Sequence, residues 1–163
     1  MRATFSRKSK DIEEALKKLL KSDDANVDVG HFKESGTHYS GMSFPELMQL
    51  HHTGSFENNI PARPVLSILF ENEYKLAEKP PIKKLIREYM DSDLSDASLE
   101  KMLSGIGKYL SAKEKRIFGS SLLAENAKST QELKGGRNSP LIDTGSLVDE
   151  VAYRTSVTNK ITK

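Results

Sequence analysis

Four histidines, His31, His38, His51 and His52, are the side chains with the widest chemical scope here, because the chain contains no cysteine. Metal binding needs ligands that converge. His51 and His52 are adjacent, and neighbours on a helix point about 100° apart, so this pair chelates poorly. No H-E-x-x-H or comparable ligand spacing is present, and no metal or other cofactor is expected. One of His51 and His52 is read as packed and the other as solvated. No serine occupies a G-x-S-x-G elbow, so the hydroxyls carry no nucleophile signature.

Asp143-Thr144-Gly145 has the form of the catalytic triplet of aspartic proteases. That chemistry needs two carboxylates sharing one proton, and this chain has a single copy without flanking hydrophobic strands. The alternative is structural: Asp143 opens an Asx-type turn, Gly145 takes the positive-φ position, and a strand follows. Gly30 and Gly36 form no phosphate loop, since no Gly-Lys-Ser/Thr follows either. Gly135-Gly136-Arg137-Asn138 reads either as an anion cradle of backbone amides plus Arg137 or as a flexible loop tip. The basic clusters Lys17, Lys18, Lys21 and Lys83, Lys84, Arg87 lack aromatic interleaving and a recognition motif, which leaves at most weak backbone contact with nucleic acid. The chain is not expected to be an enzyme.

At 163 residues the sequence is one domain with one core. No apolar run approaches the 18–20 residues of a membrane span, and the first residues lack the apolar centre of a secretion signal. Absence of cysteine removes disulfides and fits a reducing compartment. The net charge of +2 conceals blocks: +4 over 1–21, −4 over 22–63, −1 over 64–110 and +3 over 111–163. Such blocks are either solvated surface or complementary faces that pair head to tail in an oligomer.

The elements that must position these residues are read from periodicity. Ile12, Ala15, Leu16, Leu19 and Leu20 predict a helix over 8–21, preceded by loose residues 1–7. Val27 and Val29 predict a short strand. Ser43-Phe44-Pro45-Glu46 is a capping box opening a helix that Gly54 ends. Pro61-Ala62-Arg63-Pro64 is a stiff extended arm, because each proline biases its predecessor away from the helical region. A helix from Pro64 carries Leu66, Leu69, Phe70, Tyr74 and Ala77 until Pro80-Pro81 breaks it. Ile82, Leu85, Ile86 and Tyr89 form a second short face, and Leu99, Met102, Leu103, Ile106 and Leu110 a third. Ser111-x-x-Glu114 restarts a helix carrying Ile117, Phe118, Leu122 and Leu123. Residues 129–140 read as a long loop, 151–157 as a half-buried strand and 158–163 as frayed. The class is α+β: a small antiparallel sheet packed with several helices around a helical middle. The sheet needs further short strands, from 31–60 or from neighbouring subunits.

Two segments carry a resemblance. One runs Met42-Ser43-Phe44-Pro45-Glu46-Leu47-Met48-Gln49-Leu50-His51-His52-Thr53-Gly54 and continues to Ile60-Pro61-Ala62-Arg63-Pro64. The other is Pro140-Leu141-Ile142-Asp143-Thr144-Gly145-Ser146-Leu147, leading to Val151-Ala152-Tyr153-Arg154. In this order, after Val27-Asp28-Val29-Gly30, they resemble the virion morphogenesis, or tail completion, proteins of tailed bacteriophages. The resemblance implies a structural virion protein of the phage neck, assembled in the host bacterial cytoplasm. It implies a homo-oligomeric ring, six-fold by that resemblance, that finishes the tail and enables head-tail joining. The implied partners are the tail terminator or tail tube protein and the head-connector proteins, with DNA passing through the lumen without specific binding. A head-closure or tail-terminator protein of the same neck, or a small nucleic-acid-binding module, is the alternative. Ile60, Pro61, Ala62, Arg63, Pro64, Gly135, Gly136, Arg137, Leu141, Asp143, Thr144 and Gly145 are the expected assembly-interface residues. Arg63 is expected to reach from the arm to a partner's carboxylate, and the loop 134–139 to order against a neighbour.

Overall fold

The computed structural model describes residues 25–158 and 160–163. The expected helix over 8–21 and the loose residues 1–7 lie outside that range. Six α-helices surround a three-stranded antiparallel sheet among the described residues, which is the α+β arrangement expected. The strands are β1 (Val27–Gly30), β2 (Ala152–Thr155) and β3 (Ile161–Thr162), in spatial order β1-β2-β3. Val29 faces Tyr153 and Gly30 faces Ala152, while Tyr153 faces Thr162 across the other edge. The third strand therefore comes from residues expected to fray: Ile161 and Thr162 pair with the second edge of β2. Segment 31–60 contributes only isolated bridges, Thr37 to Ser43 and Ser55 to Ile60. Strand β2 stops at Thr155, so Val157, expected on the strand's inner face, lies in a turn and is partly exposed.

The helices are α1 (Phe44–Thr53), α2 (Val65–Asn72), α3 (Pro80–Met90), α4 (Asp96–Ile117), α5 (Lys128–Leu133) and α6 (Ser146–Asp149). Helix α1 starts as its sequence dictates. The Glu46 carboxylate accepts from the Ser43 amide at 3.0 Å and the Ser43 hydroxyl at 2.6 Å, and Pro45 occupies the first turn, where no amide is needed. Helix α2 is shorter than the periodicity implied. It ends at Asn72, and a 3-10 turn at Leu76–Glu78 leads into α3, which Pro80 opens rather than breaks.

Helix α4 is the spine. At 22 residues it spans about 33 Å, capped by the Ser95 hydroxyl accepting from the Ser98 amide at 3.3 Å. The restart expected at Ser111 does not occur: the helix runs unbroken to Ile117. Leu103, Gly107, Leu110, Glu114 and Ile117 are all buried along its inner face. Gly107 is required where β2 crosses. A Cβ there would stand 2.3 Å from the Tyr153 ring, closer than atoms can pack. The main core joins Phe44, Leu47, Met48, Val65, Leu69, Ile117, Phe118, Leu123, Leu147 and Val151. A smaller cluster, Tyr89, Leu99 and Leu103, closes the far end beneath Val27. Residues 129–140 are not all loop, because their first part is helix α5.

Candidate functional site

Both segments that carry the resemblance fold onto one groove. Helix α1 ends at Gly54, and Ser55 and Ile60 then exchange two backbone hydrogen bonds of 2.8 Å, closing a tight turn. The strap that follows lies back on the end of α1. The Arg63 amide donates to the His51 carbonyl at 2.7 Å. Gly54, at φ 71°, fits beneath it, since a Cβ would stand 2.7 Å from the Ala62 nitrogen and the Ile60 oxygen.

The opposite wall is the turn after α5. The Gly119 amide donates to the Pro140 carbonyl at 2.9 Å. The Lys134 ammonium donates to the Ser139 carbonyl at 3.2 Å and also to the Ile142 carbonyl. Leu141 is held at φ 61°, a left-handed conformation unfavourable for a branched side chain. The turn is built on Thr144 rather than Asp143: the Thr144 hydroxyl accepts from the Ser146 amide at 3.3 Å. Gly145, at φ 90°, caps α6 as expected of the positive-φ position. Asp143 instead accepts from the Tyr39 hydroxyl at 2.7 Å, pinning the 36–41 loop to this wall. That bond also raises the Tyr39 pKa.

The groove between the walls has a volume of about 400 Å³. Ile60, Pro61, Arg63, Leu141, Asp143, Thr144 and Gly145 line it, so the two sequence-distant motifs meet there. Ala62, Pro64, Gly135, Gly136 and Arg137 do not line it. Gly135 and Gly136 end helix α5 instead, their amides donating to the Glu132 and Gln131 carbonyls at 3.0 and 2.8 Å. The Arg137 Nε donates to the Lys134 carbonyl at 3.3 Å, so this stretch is a helix terminus, not a free loop tip.

Arg63 departs furthest from expectation. It is neither a projecting docking arm nor a surface side chain: only 6% of it is exposed. Its Nε donates to the Ala124 carbonyl at 2.8 Å, and its Nη2 to the Glu125 carbonyl at 2.9 Å and Asn126 Oδ1 at 3.3 Å. The guanidinium ties the strap to the segment between α4 and α5. Burial lowers its pKa.

His38, Tyr39, Leu47, His51, Asn126, Lys134 and Leu147 are also among the lining residues, without having been singled out as interface residues. The Nδ1 of His51 and the Nδ2 of Asn126 are buried with no hydrogen-bond partner among the described residues. Burial, then the Arg63 and His38 charges, lower the His51 pKa. Three strongly exposed apolar side chains lie in or beside the lining segments: Phe56 (99% exposed) in the 55–60 turn, Leu133 (90%) next to Lys134, and Tyr39 (71%).

A second buried centre lies outside the groove. His31 Nε2 donates to the Leu147 carbonyl at 2.7 Å, and its Nδ1 stands 3.9 Å from Glu114 Oε1. Glu114 is fully buried, neither of its oxygens has a hydrogen-bond partner among the described residues, and burial pushes its pKa up to about 7. Burial lowers the His31 pKa, opposed by the Leu147 carbonyl. The signal for Glu114 was available: it falls between Leu110 and Ile117 on the apolar stripe, where a carboxylate has no reason to be unless it is buried. No group of three or more His, Asp or Glu is placed to hold a metal ion among the described residues, and none of the described helices is long and apolar enough to cross a membrane.

No protein-family model, curated protein or solved structure matches this chain.

Proposed function

We propose that this protein is a structural subunit of a tailed-bacteriophage neck, a tail completion protein that forms a ring, finishes the tail and enables its joining to the head. The observation that carries the reading is the convergence of Ile60, Pro61 and Arg63 with Leu141, Asp143, Thr144 and Gly145 on one groove. These are the two stretches on which the resemblance rests, and they are separated by the whole helical middle. Around the groove stand Tyr39, Phe56 and Leu133, side chains that water leaves unburied and a partner would cover. The walls are preformed by hydrogen-bonded turns, which reduces the ordering lost on docking. In a ring, one face of each subunit meets a different face of the next.

Deleting the gene from its phage tests the function. The expected result is DNA-filled heads beside separate full-length tails in electron micrographs. Normal infectious particles would overturn the assembly role. Isolated protein that binds DNA tightly, with a steep dependence on salt, would favour a nucleic-acid-binding module instead.

A further inference from the structure

Arg63 poses an electrostatic problem that the described residues leave unsolved. A buried cation is ordinarily matched by an anion, because neutral partners replace only part of the hydration it gives up. Every hydrogen-bond partner of Arg63 is neutral, two carbonyls and an amide oxygen, and no described carboxylate forms an ion pair with it. Its Nε and Nη2 are committed to those partners, which leaves Nη1. Beside it, Asn126 is 9% exposed, and among the described residues neither its Nδ2 donor nor the Nδ1 of His51 has a hydrogen-bond partner. All three residues line the same groove.

We propose that this floor is an anion subsite, and that its occupant is a carboxylate carried on an apolar segment of a partner protein. Three features favour that occupant. The free guanidinium nitrogen and the Asn126 amide offer donors to two oxygens, the valence of a carboxylate. The lining carries apolar side chains, Leu47, Ile60, Pro61, Leu141 and Leu147, beside polar ones that include Lys134 and Asp143. Tyr39 in the lining, and Phe56 and Leu133 in the segments that flank it in sequence, are exposed apolar side chains of the kind a protein partner covers. The inference rests on the assembly reading and adds to it the chemistry of the partner.

Asn126→Asp isolates the subsite. It keeps the oxygen that Arg63 uses, replaces the free donor with a second oxygen, and supplies the missing anion from within the chain. Two capped peptides serve as probes, Ac-Leu-Phe-Glu-Leu-NH2 and its Gln counterpart, titrated calorimetrically into the native protein and the variant. The native protein should bind the Glu peptide at least about tenfold more tightly than the Gln peptide. Asn126→Asp should lose that preference while unfolding at the same or higher denaturant concentration. Equal affinity for the two peptides, no binding of either at millimolar concentration, or a preference that survives in Asn126→Asp would overturn the proposal. So would inorganic phosphate binding more tightly than the Glu peptide, which would make the subsite a phosphate site. Each of these outcomes is independent of the gene deletion, so the subsite can fail while the assembly role stands.

Discussion

Arg63 and Glu114 are both ionisable side chains withdrawn from water, and the molecule treats them in opposite ways. Arg63 stays charged and is held by three neutral oxygens at the floor of an open groove. Neither Glu114 oxygen has a hydrogen-bond partner among the described residues, and the His31 Nδ1 stands 3.9 Å away on the inner face of α4. A guanidinium cannot shed its proton near neutral pH, so its burial demands acceptors. A carboxyl escapes its penalty by keeping its proton. The first centre therefore fixes geometry at all pH values, and the second makes stability depend on pH.

The largest effect expected from breaking this contrast is Arg63→Ala. It removes three charge-assisted hydrogen bonds and strands the Ala124 and Glu125 carbonyls, at a cost of about 3 kcal/mol in denaturant unfolding, with little dependence on pH. The sequence alone implied a folded subunit that assembles badly; the buried guanidinium implies an unstable one. A loss below about 1 kcal/mol would mean that the strap is held by its backbone.

Glu114→Gln comes next and has the opposite sign. The unfolded chain releases the Glu114 proton near 4.5, the folded protein near 7. The stability this group contributes is therefore complete below about pH 4.5 and lost as the pH rises to about 7. His31 works against it, losing stability as pH falls through its lowered pKa, and Lys115 and Glu150 also act on the pair. Relative to native protein, Glu114→Gln should be neutral near pH 4.5 and more stable by about 3 kcal/mol at pH 8. Parallel stability curves for the two proteins across that range would show that Glu114 titrates normally.

Phe56→Ser should have the smallest effect on the subunit, within about 0.5 kcal/mol, because the ring touches so little. Its consequence belongs to assembly. Under the proposed function, complementation of the gene deletion by this variant should yield fewer joined particles. Full complementation would remove Phe56 from the interface.

What the sequence disclosed follows from how local each signal is. The Ser43–Glu46 cap, the Gly54 stop and the paired valines of β1 are set by residues within a few positions, and all were legible. The continuity of α4 was not: Ser111 and Glu114 mimic a capping box, and only the packing of Leu103, Leu110 and Ile117 overrides it. Strand β3 was hidden because two residues carry no period, and its reason for existing is an edge over which the sequence nearby has no say. The strap was recognised as rigid, yet the destination of Arg63 depends on carbonyls some 60 positions away. The same holds for the groove, whose walls meet only once α4 has folded.

The sheet register also has a kinetic side. Asp28 of β1 pairs with Arg154 of β2, 126 positions along the chain. During synthesis β1 emerges early and has nothing to pair with until β2 clears the ribosome, by which time α4 can already have formed from local contacts. Closing so long a loop is the slow entropic step. Until it is taken, the inner face of α4 around Gly107 is uncovered, and a nascent or truncated chain lacking 152–162 presents that face to solvent and to chaperones.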